Sequence, residues 1–167
     1  MHVVLQPGNY HLDDSIQVNR EGATVLGIGL ATLISTTGKP CIEVGNVDGV
    51  RIAGVLLQAG ETNTPSLLKW GTGTYASSES NPGVMSDVFA RVGGPDSQWD
   101  HQVKADVMVE LNSDHVIIDN TWLWRADHDV TGSVKNGNNP VKSGLEVNGD
   151  SVIAYSLAAE HTLGNLV

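Results

Sequence analysis

Apolar and polar residues alternate along short stretches of this chain, and no stretch sustains a helical 3.6-residue period over three turns. In Ile42-Glu43-Val44, and again in Leu145-Glu146-Val147, an acidic residue stands between two apolar ones. That two-residue period marks a strand with one face in a core and the other in water. The stretches are short and are separated by Gly, Asn or Asp, residues that suit tight turns. The pattern predicts many short strands and no long helix.

A repeated block organises these strands. Glu43-Val44-Gly45-Asn46-Val47-Asp48-Gly49-Val50, Glu110-Leu111-Asn112-Ser113-Asp114-His115-Val116 and Glu146-Val147-Asn148-Gly149-Asp150-Ser151-Val152 share the core Glu, apolar, Asn, any residue, Asp, any residue, Val. A degenerate copy places Leu68-Lys69-Trp70-Gly71 at the opening strand and Asp87-Val88-Phe89-Ala90-Arg91 at the later one, with a Gly/Ser/Thr/Asn-rich insertion at residues 72 to 84. Units that recur in this way cannot bury an apolar face alone and gain a core by stacking. The expected fold is all-β, a single-stranded right-handed parallel β-helix (a solenoid) of about five coils, forming one domain over residues 1–167. A β-sandwich also has short strands, but it leaves the repeated block unexplained. Asn112 and Asn148 fall at the same turn position, where their amides are expected to stack.

Aligned coils allow side chains to be compared column by column, because neighbouring strands stack about 4.8 Å apart. Val55, Val88, Thr121 and Leu157 are expected to point inward, as are Leu57, Ala90, Leu123 and Ala159. The outward columns are then Leu56, Phe89, Trp122, Ala158 and Gln58, Arg91, Trp124, Glu160. An outer sheet face carrying Phe89, Trp122 and Trp124 beside Arg91 and Glu160 suits an extended polysaccharide: indoles stack on the CH faces of sugars, and charged groups bond the hydroxyls. The competing reading is that a loop or another domain covers Trp122 and Trp124.

Composition narrows the partners. Nine Lys and Arg against 19 Asp and Glu give a formal charge of −10, so the basic footprint of a nucleic-acid binder is missing. No apolar run approaches the ~20 residues of a membrane span. The opening Met1-His2-Val3-Val4-Leu5 enters a strand-like run without the regions of a signal peptide, so either the protein is cytoplasmic or a leader has been removed. Cys41 cannot form an internal disulfide and reads as a small packing residue.

The densest chemistry lies in Trp122-Leu123-Trp124-Arg125-Ala126-Asp127-His128-Asp129, which enters a loop. Asp127, Asp129 and Glu160, one coil further on, are the candidate acid/base carboxylates, with a reach compatible with the ~6.5 to 9.5 Å separation of inverting glycosidases. Arg125 or His128 would hold one carboxylate ionised, His161 aligns with Arg125, and Arg125, His128 and His161 are expected to line the sugar surface with Phe89, Arg91, Trp122 and Trp124. The structural alternative has Asp127 and Asp129 forming Asx-turns and Arg125 paired with Glu160. No cofactor is implied: the six His residues lack zinc-site spacing, and calcium is conceivable only from Asp127, Asp129 and nearby carbonyls. Gly27-Ile28-Gly29 lacks the rest of a dinucleotide fingerprint, and no Gly-x-Ser-x-Gly elbow occurs.

Val3-Val4-Leu5-Gln6-Pro7-Gly8-Asn9-Tyr10-His11-Leu12, Asp48-Gly49-Val50-Arg51-Ile52-Ala53-Gly54, Met85 to Gly94, Trp122-Leu123-Trp124-Arg125-Ala126-Asp127-His128 and Gly144 to Asp150 together resemble bacterial pectate-lyase-like β-helix proteins. The likeness is to large secreted proteins often carrying a coagulation factor 5/8 type domain, akin to glycoside hydrolase families 55 and 87. It implies a β-helix, a glucan or related polysaccharide as substrate class, and an extracellular location. Neither family's catalytic motif maps residue by residue onto this chain. Similar proteins continue into further coils, so the chain reads as part of a longer β-helix, and self-association through the open C-terminal coil is expected. A non-catalytic carbohydrate-binding fragment and a purely structural one are the alternatives. A polyuronate lyase is disfavoured by the −10 charge.

Overall fold

The computed structural model describes residues 2–94, 103–128 and 134–167. Among these residues lie the strands β1 (His2–Leu5), β2 (Asn9–Leu12), β3 (Ile16–Val18), β4 (Thr24–Ser35), β5 (Ile42–Val44), β6 (Arg51–Gln58), β7 (Thr64–Tyr75), β8 (Gly83–Val92), β9 (Ala105–Ser113), β10 (Val116–Arg125), β11 (Val141–Val147) and β12 (Ile153–Glu160). Among the described residues the only helical piece is a 3-10 turn at Lys135–Gly137. β1, β2, β4, β6, β8, β10 and β12 form one sheet, and β3, β5, β7, β9 and β11 form the other. All the pairings are parallel. From β3 onward the chain visits the two sheets alternately, which is the path of a solenoid.

The expected columns are present in the register. Val55 pairs with Val88, Val88 with Thr121, and Thr121 with Leu157; Leu57, Ala90, Leu123 and Ala159 follow in the same way. Val55, Val88, Leu57, Ala90 and Leu123 are buried, together with Ile52, Met85 and Ile118 from the same sheet and Ile42, Leu68, Trp70, Met108 and Leu111 from the other. One continuous apolar core therefore lies between the sheets. Trp70 belongs to it, and a Cβ at Gly83 would sit 2.6 Å from its ring, so only glycine leaves room for that indole.

Two corners explain the repeated block. The residue after its Asp has a positive φ in each copy, at Gly49, His115 and Ser151 (69°, 51° and 56°). That requirement favours Gly or a short polar residue. The Asp114 carboxylate accepts the backbone N–H of Asp150 at 2.7 Å, so the Asp ties one coil to the next. The Asn148 amide donates to the Asn112 oxygen at 2.9 Å, and Asn112 donates to the Gly71 carbonyl at 3.1 Å, which forms the expected ladder. Strand β7 reaches Tyr75, so the expected insertion from residue 72 begins later. Tyr75 re-pairs with Ser113 after a shift beyond Trp70.

The last coil is open on one side. The segment after β12 folds against β11, with Leu163 N–H donating to Val141 O at 2.9 Å and Leu145 N–H to Leu166 O at 3.1 Å. Among the described residues β12 pairs only with β10, and Ile153 and Tyr155 are exposed.

Candidate functional site

The ends of β10 and β12 bring together most of the residues singled out by the sequence. In register, Trp122 lies beside Phe89 and Ala158, and Trp124 beside Arg91 and Glu160. Trp122 is 37% exposed, and its indole N–H donates to Glu160 Oε2 at 3.2 Å. Trp122 and Trp124 stack with ring centroids 4.7 Å apart and planes inclined by 21°. Phe89 is partly exposed.

Trp124 departs from the expectation of a water-facing sugar platform. It points away from the core yet is only 6% exposed, because Trp122 stacks on it and the His128 ring lies 4.6 Å from its centroid. A residue on the outer face of a sheet is thus buried by its own neighbours. Arg91, in the adjoining coil, donates from Nη2 to Gln58 Oε1.

Arg125 also requires correction. It neither lines the surface nor pairs with Glu160. Its side chain is turned into the protein, 5% exposed, and its forked guanidinium donates to four backbone carbonyls: Asn139 at 3.0 Å, His161 at 3.1 Å, Val134 at 3.1 Å and Asn138 at 2.7 Å. Burial pushes its pKa down from the ordinary value, although an Arg remains charged. Five rigidly disposed donors make Arg the side chain suited to this task. It fastens the 134–139 loop to the turn after β12, and Asn139 in turn accepts the Val103 N–H at 3.2 Å.

Asp127 is the electrostatic centre. One carboxylate oxygen accepts the Trp124 indole N–H at 3.1 Å and faces His128 Nδ1 at 2.8 Å. The other lies 3.4 Å from His161 Nε2. Partial desolvation works to raise its pKa, but the Trp124 and His128 hydrogen bonds, its own backbone N–H and the charge of His161 outweigh it, leaving the pKa below the ordinary Asp value. Asp127 is therefore held ionised, a poor proton donor and a good acceptor. His128 and His161 remain substantially exposed, with 65% and 48% of their side chains open to water.

Asp129 lies outside the described residues. Its suggested calcium partner Asp127 has its oxygens turned to nitrogens of Trp124, His128 and His161. Among the described residues no group of three or more His, Cys, Asp or Glu side chains could hold a metal ion, and none of their helices is long and apolar enough to cross a membrane.

The sequence reading missed the part played by the loop carbonyls of Val134, Asn138 and Asn139. The Asn138-Asn139-Pro140 turn was the available signal, but nothing in it names Arg125 as the partner. It also missed the column Gly54, Asp87, Asn120 and Ser156, all with positive φ (68°, 51°, 51° and 50°). Turn-prone residues one coil apart could have revealed that corner.

Two parallel sheets visited in alternation, with aromatic, carboxylate and imidazole groups gathered at one end of the outer face, define a pectate-lyase-like parallel β-helix. The chain belongs to the LAM55 pectate lyase-like domain family, whose model matches residues 1–167. It is 40% identical over 162 residues to an exo-beta-1,3-glucanase of Streptomyces sp. (strain SirexAA-E / ActE), a match covering 96% of this chain and 26% of that protein. A solved structure of a sacteLam55A variant from Streptomyces sp. SirexAA-E in complex with glucose is 39% identical, with a TM-score of 0.84 over 97% of this chain and 28% of its own. A further structure of sacteLam55A is 38% identical, with the same TM-score and coverage. The chain spans about a quarter of the length of these relatives.

Proposed function

We propose that this chain is the sugar-contacting β-helix of a secreted glycoside hydrolase acting on β-1,3-glucan. The observation that carries the reading is the half-open indole of Trp122, whose N–H edge is fixed by Glu160, in a chain related to an exo-beta-1,3-glucanase. An apolar ring face beside a carboxylate suits a glucosyl unit, which offers CH groups on its face and hydroxyls on its rim. Phe89, Arg91, His128 and His161 border this contact. Trp124 and Arg125 act from beneath, one as a stacking support and the other as a loop fastener.

Cleavage by a carboxyl pair needs one ionised and one protonated group. The environment of Asp127 suits the ionised partner, and Glu160 and Asp129 are the candidates for the proton donor. Binding without turnover is the second reading, favoured by the engagement of both Asp127 oxygens with protein nitrogens.

The same proposal takes the solenoid as right-handed and as one domain. Five coils are supported by the odd–even strand pairs β3/β4, β5/β6, β7/β8, β9/β10 and β11/β12. Self-association belongs to the same proposal: among the described residues β12 pairs with β10 alone, and its Ile153 and Tyr155 are exposed, a surface suited to contact with a second copy. Sedimentation should show concentration-dependent association; a monodisperse monomer at high concentration refutes that part.

The functional test measures retention in native gels containing soluble β-1,3-glucan, together with release of reducing ends. The parent should be retarded and Trp122→Ala should migrate about as freely as in a glucan-free gel. Equal retardation of both proteins overturns the reading. Release of sugar that is lost in Asp127→Asn supports catalysis, whereas retention without release supports binding alone.

A further inference from the structure

The outer face beside Trp122 has a shape that the glucan reading leaves unused. Trp124 stacks on one face of Trp122, which is still 37% exposed, and Asn120 lies two residues before it on the same strand. At Asn120 the backbone takes a positive φ and the strand turns a corner. The same corner recurs in neighbouring coils at Gly54, Asp87 and Ser156, flanked on one side by the successive pairs Ala53 with Ser86, Ser86 with Asp119 and Asp119 with Tyr155, and on the other by Val55 with Val88, Val88 with Thr121 and Thr121 with Leu157. Asp87, Asn120 and Ser156 are exposed.

Two columns therefore run side by side along the solenoid axis. One is apolar, formed by Leu56, Phe89 and Trp122; the other is polar, formed by Asp87, Asn120 and Ser156. The Asn120 amide donates to Asp87 Oδ1 at 2.5 Å, which fixes both side chains and occupies only one of the two amide N–H groups. Each column advances by one strand spacing per coil, about 4.8 Å, which is on the scale of a single hexose ring, so two neighbouring coils can meet two successive units of a curved β-1,3-linked chain.

We propose that a β-1,3-glucan chain lies along the solenoid axis in this step, about one glucosyl residue per coil, its CH faces against Trp122 and Phe89 and its hydroxyls bonded by Asn120, Asp87 and Ser156. The inference rests on the glucan reading above and adds to it a direction, a repeat and three hydroxyl-binding residues. A strand-parallel path would meet only one coil and would not use Phe89.

The test is calorimetric titration with β-1,3-linked gluco-oligosaccharides of increasing length. Affinity should rise from the monosaccharide until the chain spans the coils carrying Trp122 and Phe89, then level off. Asn120→Gly and Asp87→Gly keep a backbone compatible with positive φ, as Gly54 already does in its coil. Each should weaken binding of the longer oligosaccharides by about threefold to tenfold, the effect of one hydrogen bond. Phe89→Ala should abolish the gain from lengthening. Affinity that is independent of length, or indifferent to Phe89, Asn120 and Asp87, overturns the axial path while leaving glucan recognition at Trp122 standing. Absence of binding at any length overturns both.

Discussion

Replacing Arg125 with Met removes a guanidinium that serves four backbone carbonyls in a site only 5% exposed. Met fills similar volume with an apolar chain, so packing is largely kept and the carbonyls lose their donors. A hydrogen bond to a charged group contributes about 1.5–3 kcal/mol, and a buried acceptor left unsatisfied costs about 1–3 kcal/mol. Part of this is returned because the charge no longer has to be desolvated, and carbonyls near the loop surface regain water. The net cost is then about 3–5 kcal/mol, as for other disrupted buried networks. At about 2–4 °C per kcal/mol for a chain of this size, differential scanning calorimetry should show Tm falling by about 10 °C. Arg125→Lys should fall between parent and Met, since one ammonium cannot reach the carbonyls as a planar fork does. A Tm for Arg125→Met within about 2 °C of the parent refutes the assignment of Arg125 as the fastener of the 134–139 loop, because so small a shift amounts to less than one hydrogen bond.

Three further outcomes follow from the same geometry. Asp127→Asn should be less stable than the parent near neutrality: the folded pKa of Asp127 is depressed, so its contribution is present above the ordinary value of 3.8 and is lost as pH falls through the folded pKa below it. Urea unfolding at a series of pH values should show the two proteins converging below that point, and a constant difference refutes the linkage. The Thr121 hydroxyl is buried without a hydrogen-bond partner among the described residues in a column otherwise formed by Val55, Val88 and Leu157, so Thr121→Val should stabilise by about 1 kcal/mol. A lowered Tm contradicts this. Burial pushes the Cys41 thiol up to about 12, and thiol reagents should label it only on unfolding; labelling of the native protein at the rate of a free thiol contradicts its burial.

The architecture was legible because two periods agree in the sequence. Alternation at Ile42-Glu43-Val44 and Leu145-Glu146-Val147 separates inside from outside. The repeated Glu-to-Val block sets which residues stack, and Glu110 lies opposite Glu146 as that block requires. The columns through Phe89, Trp122 and Glu160 followed directly. Arg125 and Trp124 were read less well for a physical reason: pattern predicts which side of a sheet a side chain leaves from, not what later covers it. Trp124 leaves outward and is covered by Trp122 and His128. Arg125, at the end of β10 where the chain leaves the sheet, turns toward carbonyls of a loop that begins nine residues later at Val134. The three nitrogen partners of Asp127 come from positions 124, 128 and 161, and only the fold brings the last of these near.

The central claim is that the open face of Trp122 is where this chain meets glucan, and the indole N–H signals of a nitrogen-15 labelled sample test it directly. Adding a β-1,3-linked gluco-oligosaccharide should move the Trp122 indole resonance, whose N–H is bonded to Glu160, and leave that of Trp70, buried in the core, in place. A Trp122 signal that stays fixed at saturating sugar contradicts the account.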